Sequence, residues 1–216
     1  MKFTEEQLAV YAVTSRRWLE EKSLCEAVRA ALDGGATFIQ IREKDGPQNL
    51  TRTLIEREAC EICTLCHARN VPCVIDDDLA LAVTAGADGV HVGQKDMAAH
   101  LVRQRIGKDK ILGVTAQTVA EALRAEKDGA DYIGVGAVFP TQSKQDATLV
   151  SVQTLQEICQ AVSIPVVAIG GITTENVTQL AGTGIAGIAV ISAIFAQKNI
   201  SVATQALRQK FLNMRR

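Results

Sequence analysis

Acidic residues follow two neighbouring predicted strands in the run 73–96, CVIDDDLALAVTAGADGVHVGQKD. Its pattern predicts a strand, an acidic turn, a helix, a second strand and a second acidic turn. If both strands belong to one parallel sheet, both turns lie at the carboxyl edge, where α/β folds carry their active sites. Mg²⁺ prefers oxygen ligands of this kind. The spacing therefore predicts that Asp77 and Asp96 converge on one Mg²⁺ ion.

Helix capping is the alternative interpretation of these acidic turns. Asp78 would cap the helix that follows it, and Asp96 would cap a helix beginning near Met97. Capping leaves Asp76 and Asp77 unexplained, and clustered carboxylates are unfavourable unless a positive charge lies among them. We therefore favour a metal or a basic group at this edge over capping alone.

A second candidate cluster follows the predicted strand at 36–41. Gln40, Arg42 and Lys44 alternate along the chain, so all three point the same way if the strand continues. Arginine offers a bidentate fork and lysine a point charge, a combination that suits a diphosphate. A solvated charged loop is the alternative.

Phosphate-binding residues are predicted further along the chain. Gly171 follows Gly170 after one strand, and Ser192 follows Ile191 after the next. Glycines let the backbone approach an anion, and these are the barrel positions that commonly bind phosphate. Thr141, Ser143 and Lys144 lie on a long polar loop after the preceding strand. A tight turn and a plain polar loop are the alternatives. His91, within a strand, is expected to be a satisfied buried residue.

Composition limits the class of protein. The chain has 216 residues, of which 47% are hydrophobic and 4% aromatic, so one domain over 1–216 with an aliphatic core is expected. The net charge of −1 removes the electrostatic case for nucleic-acid binding. No apolar run reaches membrane-helix length, and the N-terminus lacks the apolar region of a signal peptide. We expect a cytoplasmic protein of undetermined oligomeric state.

Cys60, Cys63 and Cys66 form a CxxCxxC run, a spacing that iron–sulfur proteins use. The surrounding residues have a helical pattern, and neither a proline nor a fourth clustered cysteine follows. Small buried hydrophobic residues in a reducing compartment are therefore the favoured interpretation.

Strand and helix patterns alternate about eight times, which predicts a single-domain (β/α)₈ TIM barrel. An open doubly wound sheet is the runner-up, but residues 11–17 lack its glycine-rich fingerprint. We predict strands at 8–14, 36–41, 73–75, 90–92, 110–114, 131–135, 165–169 and 185–191, and helices at 20–32, 49–68, 79–85, 97–106, 118–127, 151–162, 173–181 and 200–213.

The motifs GGATFIQIREKD, LALAVTAGADGVHVGQKD, ILGVTAQT, GADYIGVGAVFPTQSKQDA, IPVVAIGGIT and GIAVISAI occur in this order. Together they make the chain resemble the thiamine-phosphate synthase family over nearly its whole length. The resemblance implies a TIM barrel and a Mg²⁺-dependent transferase. Such an enzyme joins a hydroxymethylpyrimidine diphosphate to a thiazole phosphate, or its carboxylated form, giving thiamine phosphate and diphosphate. It also implies that diphosphate leaves first and that the thiazole nitrogen captures the pyrimidinylmethyl cation.

The resemblance further assigns roles to individual residues. Asp77 and Asp96 would bind Mg²⁺. The pyrimidine diphosphate would contact Gln40, Ile41, Arg42, Glu43, Lys44, Asp76, Thr115 and Lys144. The thiazole phosphate would contact Thr141, Gln142, Ser143, Gly171, Ile191 and Ser192. Catalysis would depend on Arg42, Lys44, Thr115 and Lys144.

Three positions depart from the family pattern: Asp76 replaces an asparagine, Thr115 a serine and Gln117 a histidine. Two other functions were weighed. A thiazole tautomerase of the same superfamily would need a histidine base, which Gln117 disfavours, and would not need Arg42 and Lys44. A non-catalytic phospho-ligand binder would bind thiazole phosphate without turnover.

Overall fold

The computed structural model describes residues 3–19, 22–44, 46, 50–141, 143 and 148–215. Eight parallel strands form a closed barrel in sequence order, and the last strand pairs with the first. This confirms the predicted TIM barrel and excludes the open sheet. The strands are β1 Val10–Val13, β2 Phe38–Ile41, β3 Cys73–Asp76, β4 Gly89–Val92, β5 Ile111–Ala116, β6 Tyr132–Val135, β7 Val166–Ile169 and β8 Gly187–Val190.

The helices lie on the outside of the barrel and mostly begin at hydroxyl, carboxylate or amide caps. These caps accept backbone N–H groups of the first turn, which otherwise have no partner. Ser23, Thr51, Asp78, Thr118, Ser151 and Asn199 act in this way. The helices are α1 Leu24–Asp33, α2 Arg52–His67, α3 Leu79–Thr84, α4 Ala99–Ile106, α5 Val119–Lys127, α6 Val152–Ala161, α7 Ser192–Phe195 and α8 Ile200–Met214.

Several helix boundaries differ from the predicted ones because a cap, not the apolar periodicity, sets the start of a helix. The first helix begins at Leu24, after its cap Ser23, rather than at residue 20. The predicted helix 173–181 is only a 3₁₀ turn at Val177–Leu180. Further 3₁₀ turns lie at Glu5–Leu8 and Arg16–Trp18.

Alternation along the strands divides the core into two layers. On β1, Tyr11 and Val13 point into the barrel, whereas Val10 and Ala12 pack outward against helices. The interior is closed below the cavity by aromatic rings, with the Tyr11 and Phe38 centroids 4.5 Å apart. The barrel is therefore a packed core with space left only at its carboxyl end.

The cysteine run lies on α2, as predicted. Cys63 and Cys66 are buried, and the Cys63 and Cys73 sulfurs lie 3.7 Å apart; all six cysteines are free thiols. Within the described ranges, no set of three or more His, Cys, Asp or Glu side chains is arranged to hold a metal ion, and no helix is long and apolar enough to cross a membrane. The burial of Cys63 and Cys66 supports their interpretation as small core residues.

Candidate active site

A cavity of about 550 Å³ opens at the carboxyl end of the barrel. Residues from all eight strand–loop units line it, as the barrel geometry requires. The structure brings most of the predicted site residues to this cavity. They are Gln40, Arg42, Lys44, Asp76, Asp77, Asp96, Thr115, Thr141, Ser143, Gly171, Ile191 and Ser192.

One side of the cavity, the charged wall, consists of Arg42, Lys44, Asp76, Asp77 and Asp96 from the loops after β2, β3 and β4. Lys44 donates to Asp77 Oδ2, and its Nζ also lies 3.2 Å from Asp76 Oδ2. Arg42 Nε lies 3.8 Å from the same oxygen. The crowded carboxylates Asp76 and Asp77 therefore have two cations, Arg42 and Lys44, beside them.

Asp77 is held over the end of β4 by its backbone. It has a φ of +59°, and its N–H donates to the His91 carbonyl over 2.9 Å. Burial raises the pKa of Asp77 to about 6, and the Asp76 and Asp96 carboxyls add to this rise, whereas Lys44 opposes it. The Asp77 and Asp96 side chains are therefore neighbours, and a further cation would stabilise their charged forms.

The capping alternative holds for one aspartate and fails for the other. Asp78 caps α3 by accepting from Leu81 N over 2.8 Å, and it also pairs with Arg52. Asp96 does not cap α4, whose cap position is Ala98. Its Oδ2 instead accepts from Gly93 N over 2.8 Å, which turns the carboxyl back toward Asp77.

The residues present fit a hard divalent cation. Asp77 and Asp96 supply two carboxylates, and Asp76 Oδ2 is buried without an aligned hydrogen bond from any described residue. Fewer than three acidic side chains are arranged as metal ligands in the described part of the chain. A cation here would complete its shell with water or substrate oxygens, as Mg²⁺ commonly does.

The opposite side of the cavity, the glycine wall, consists of Gly170, Gly171, Ile191 and Ser192 after β7 and β8. Gly171 has a φ of +65°, and a Cβ there would lie 2.3 Å from the Pro140 carbonyl oxygen. No other residue type fits this turn without displacement of the backbone. This wall therefore offers backbone N–H groups and one hydroxyl instead of charged side chains.

Asn176 holds the glycine turn in place. Its Nδ2 donates to the Gly171 carbonyl over 2.8 Å, and its Oδ1 accepts from Thr173 N over 2.8 Å. On the neighbouring loop, Ser143 N donates to Thr141 Oγ1 over 3.2 Å. These bonds fix the backbone of the glycine wall before any ligand binds.

Residues 10–194 match the family described as thiamine monophosphate synthase. The chain belongs to this family. Thiamine-phosphate synthase of Ruminiclostridium cellulolyticum is 49% identical over 204 residues, covering 94% of this chain and 95% of the relative. The Methanobrevibacter smithii thiamine-phosphate synthase is 45% identical over 204 residues, with the same coverage of 94% and 95%.

Solved structures agree with the family assignment. Thiamine phosphate pyrophosphorylase from Pyrococcus furiosus superposes with a TM-score of 0.88 at 37% identity, covering 98% of this chain and 99% of that one. The pyrophosphorylase from Bacteroides thetaiotaomicron, at 17% identity and a TM-score of 0.67, covers 96% and 99% and shares the fold. The chain is a thiamine-phosphate synthase, a transferase of thiamine biosynthesis.

Two residues expected at the thiamine-phosphate synthase site lie outside the cavity. Ile41 is buried in the outer core, because its strand position points toward the helices. Glu43 accepts two bonds from Arg16, of 2.6 and 2.7 Å, and Arg16 also donates to Glu58 over 2.7 Å. The structure therefore does not bring Ile41 and Glu43 to the cavity with the other site residues, and their contact with substrate stays a prediction. Gln142 and Lys144 lie outside the described residues.

Sequence analysis missed other cavity residues of this synthase. Tyr11 and Arg17 line the cavity, and the alternation of β1 was the available signal for Tyr11. His91, expected to be buried and satisfied, bonds Thr115 Oγ1 over 2.9 Å and the Tyr132 hydroxyl over 3.0 Å. Burial lowers the pKa of His91 to about 4, so the ring is neutral. It nevertheless lines the cavity.

Proposed function

We propose that this synthase joins 4-amino-2-methyl-5-hydroxymethylpyrimidine diphosphate to 4-methyl-5-(2-phosphoethyl)thiazole or its carboxylated form. The products are thiamine phosphate and diphosphate, and the carboxylated thiazole would in addition lose its carboxyl group as carbon dioxide. One observation carries the assignment of the two substrates: a single cavity has a charged wall and a glycine wall, which suit two different anions. The family membership gives the reaction class, and the two walls suggest where each substrate lies.

The charged wall suits the diphosphate. Arg42 and Lys44 provide positive charge next to the cavity, and Lys44 is about half exposed, so its ammonium can reach a ligand. Charge-assisted bonds to phosphate oxygens are stronger than neutral ones. These two cations would stabilise the charge that develops on the leaving group. We assign Lys144 to the same group on the resemblance alone.

The glycine wall suits the thiazole phosphate. Backbone N–H groups around Gly171 and Ile191, with the Ser192 hydroxyl, can donate to phosphate oxygens. Thr141 and Ser143 line the same part of the cavity. Gln142, between them in the chain, belongs to this proposal on the resemblance alone.

Asp77 and Asp96 would hold Mg²⁺. The bound ion would supply a positive charge that stabilises diphosphate as it departs. Lys44 donates a hydrogen bond to Asp77 in this structure. Binding of the ion to Asp77 therefore requires the Lys44 side chain to turn away from this carboxylate and toward the substrate phosphates. Asp76 would then keep Arg42 as its neighbouring cation.

The proposed reaction is balanced without a further reactant. The bond between the pyrimidine methylene carbon and the diphosphate oxygen breaks, and its electron pair leaves with diphosphate. The thiazole nitrogen then uses its lone pair to form the new C–N bond. Val167, Ile169 and Ala189 contribute apolar side chains to the cavity lining, which would limit access of water to the carbon cation.

The direct test mixes the purified protein with both substrates and Mg²⁺ and measures thiamine phosphate. Formation that stops when Mg²⁺ is chelated supports the proposal. Asp77→Ala and Asp96→Ala should each abolish diphosphate release, while circular dichroism shows a folded barrel. Full activity in either variant would remove the metal assignment. Binding of thiazole phosphate without turnover would instead identify a phospho-ligand binder.

We also propose that the protein acts in the cytoplasm as a single domain over 1–216. Six free thiols support a reducing compartment. Gln117 supports the synthase over the tautomerase, because its Nε2 donates to the Gly136 carbonyl over 3.3 Å and supplies no titratable base.

A further inference from the structure

A continuous chain of hydrogen bonds crosses the barrel interior beneath the cavity. Gln40 Nε2 donates to the Tyr11 hydroxyl over 2.7 Å, and that hydroxyl lies 2.7 Å from the Tyr132 hydroxyl. Tyr132 bonds His91 Nδ1 over 3.0 Å, and His91 Nε2 bonds Thr115 Oγ1 over 2.9 Å. The chain of five residues, here the polar relay, begins and ends on cavity-lining side chains.

One direction gives every inner member of the relay both a donor and an acceptor, because each carries only one hydrogen and meets two relay partners. Gln40 donates its amide hydrogen to Tyr11, and Tyr11 keeps a partner for its own buried hydrogen by donating onward to Tyr132. Tyr132 must then donate to His91 Nδ1, which makes Nδ1 an acceptor. A neutral imidazole with an accepting Nδ1 carries its hydrogen on Nε2 and donates it to Thr115.

The interior is built to keep this relay uncharged and in place. Tyr11, Tyr132 and His91 are buried, and burial raises the pKa of both tyrosine hydroxyls. Gly113 leaves the necessary room, because a Cβ there would lie 2.2 Å from the Tyr132 ring and 2.4 Å from His91 Nδ1. No larger residue at this position would allow the two rings to meet.

We propose that Tyr132 and His91 are positioning residues that set the hydrogen-bond polarity of the pyrimidine site. Thr115 accepts from His91, so its own hydrogen is directed to a ligand. Gln40 uses its nitrogen on Tyr11, so its Oε1 is the part of the amide that can accept from a ligand. The site then presents one acceptor and one donor.

This polarity selects an aminopyrimidine, an inference that rests on the proposed function. The 4-amino group donates to Gln40 Oε1, and a ring nitrogen accepts from the Thr115 hydroxyl. A 4-oxo pyrimidine would place a carbonyl oxygen against Gln40 Oε1, where neither atom has a hydrogen. Leaving a buried polar group without its partner is costly enough to give discrimination of about ten- to hundredfold.

Tyr132→Phe tests the relay because it removes one hydroxyl from the middle and keeps the ring. Tyr11 then loses its acceptor and can donate to a reversed Gln40 amide, so both ends of the relay lose their direction. We expect kcat/KM with the 4-amino diphosphate to fall about tenfold, and the preference over its 4-oxo analogue to fall below about threefold. An unchanged preference would overturn the proposal.

Phe38→Leu is the matched control. Phe38 is fully buried and packs on both tyrosines, with ring centroids 4.5 and 5.7 Å away, but it has no polar atom and does not line the cavity. It should perturb packing while leaving the amino-to-oxo preference intact. If the Phe38→Leu preference falls as far as that of Tyr132→Phe, the effect is one of packing and the proposal is wrong.

Coupling to Thr115 gives a second readout. Thr115→Val removes the hydroxyl and nearly keeps the shape, and it should lose the preference in the same way. The double variant with Tyr132→Phe should show no further loss, because both changes interrupt one relay. Thr115→Ser should retain the preference. Additive losses would indicate two independent roles and contradict the relay. If Tyr132→Phe does not fold, Tyr11→Phe interrupts the same relay.

Nitrogen NMR measures the direction of the relay without substrate. In a His67→Gln, His100→Gln background, His91 is the remaining histidine, since the sequence contains three. We expect a hydrogen on Nε2 and none on Nδ1, and a mixture after Tyr132→Phe. A hydrogen on Nδ1 in the protein with Tyr132 intact would overturn the proposal. Absence of thiamine phosphate together with the expected tautomer would instead count against the proposed function.

Discussion

The charged wall and the glycine wall face the same cavity but are held together in different ways. In the charged wall, Lys44 pairs with Asp77, and Arg42 lies near Asp76, so a ligand must exchange places with existing partners. In the glycine wall, Gly171 and its neighbours are held by backbone geometry and by Asn176. Substitution of a single side chain should therefore weaken ligand binding at the charged wall. Ligand binding at the glycine wall should be weakened by substitutions that disturb the backbone.

Asp96→Asn should have the largest effect on the charged wall. The amide oxygen can still accept from Gly93 N, so the loop is kept while the charge for a cation is lost. We expect kcat/KM to fall by about a thousandfold or more, because a bound metal contributes several kcal/mol to transition-state stabilisation. Steady-state diphosphate release at several Mg²⁺ concentrations measures this. Asp33→Asn, on exposed α1 surface, should leave activity unchanged, and equal rates in the two variants would contradict the assignment.

The polar relay beneath both walls has to remain uncharged, and this predicts a pH dependence of folding stability. The pKa of His91 is about 4 in the folded protein against 6.5 for the free side chain, so the unfolded chain binds more protons between these values. The raised pKa of Asp77, about 6, opposes this trend below pH 6, so the His91 contribution is the difference from His91→Gln: it should raise stability with pH from about 4 to 6.5 by about 3 kcal/mol and then level off. Denaturant unfolding at several pH values measures it.

His91→Gln should remove most of this slope, because glutamine has no proton to gain in that range. His100→Gln, at an exposed position on α4, should preserve it. An equal pH dependence of stability in the parent and in His91→Gln would contradict the assignment to His91.

Gly171→Ala should damage the glycine wall selectively. The new methyl group would meet the Pro140 carbonyl oxygen at 2.3 Å, which pushes the turn away from the anion. We expect KM for thiazole phosphate to rise by roughly 30- to 100-fold, equivalent to about 2–3 kcal/mol. KM for the pyrimidine diphosphate should change much less.

Gly86→Ala provides the control for Gly171→Ala, because both glycines have a φ of +65° but a Cβ at Gly86 would meet no atom within 4 Å. It should cost about 1–2 kcal/mol of stability for the left-handed conformation and leave both KM values unchanged. If the two variants lose thiazole-phosphate affinity equally, the close approach at Gly171 does not explain the site.

Arg42→Gln should have the smallest of these effects. It removes one cation from the charged wall while Lys44 and the acidic residues remain, so KM for the pyrimidine diphosphate should rise about 10- to 30-fold. KM for thiazole phosphate should stay within about twofold, as initial-rate measurements with each substrate varied would show. Equal losses for both substrates would contradict the separation into two walls.

The sequence predicted the fold and most of the cavity because both depend on local patterns. Alternating strand and helix signals favoured a barrel over an open sheet, and a barrel places residues that follow its strands at one end. Asp77, Asp96, Arg42 and Gly171 were therefore identified without coordinates, and the structure places all four on the cavity. Helix starts were less accurate, because a capping side chain such as Ser23 decides them.

Only the tertiary structure decided which partner each polar side chain has. Glu43 lies next to Lys44 in sequence, yet it turns away from the cavity to Arg16 because that cation is buried within reach. The polar relay joins side chains from β1, β2, β4, β5 and β6, and no spacing along the chain could indicate that they meet. The residue types and their order determined a barrel with an acidic and a glycine-rich rim. The closure of that barrel brought distant strands into contact, and this contact determined which groups donate hydrogen bonds and which accept them.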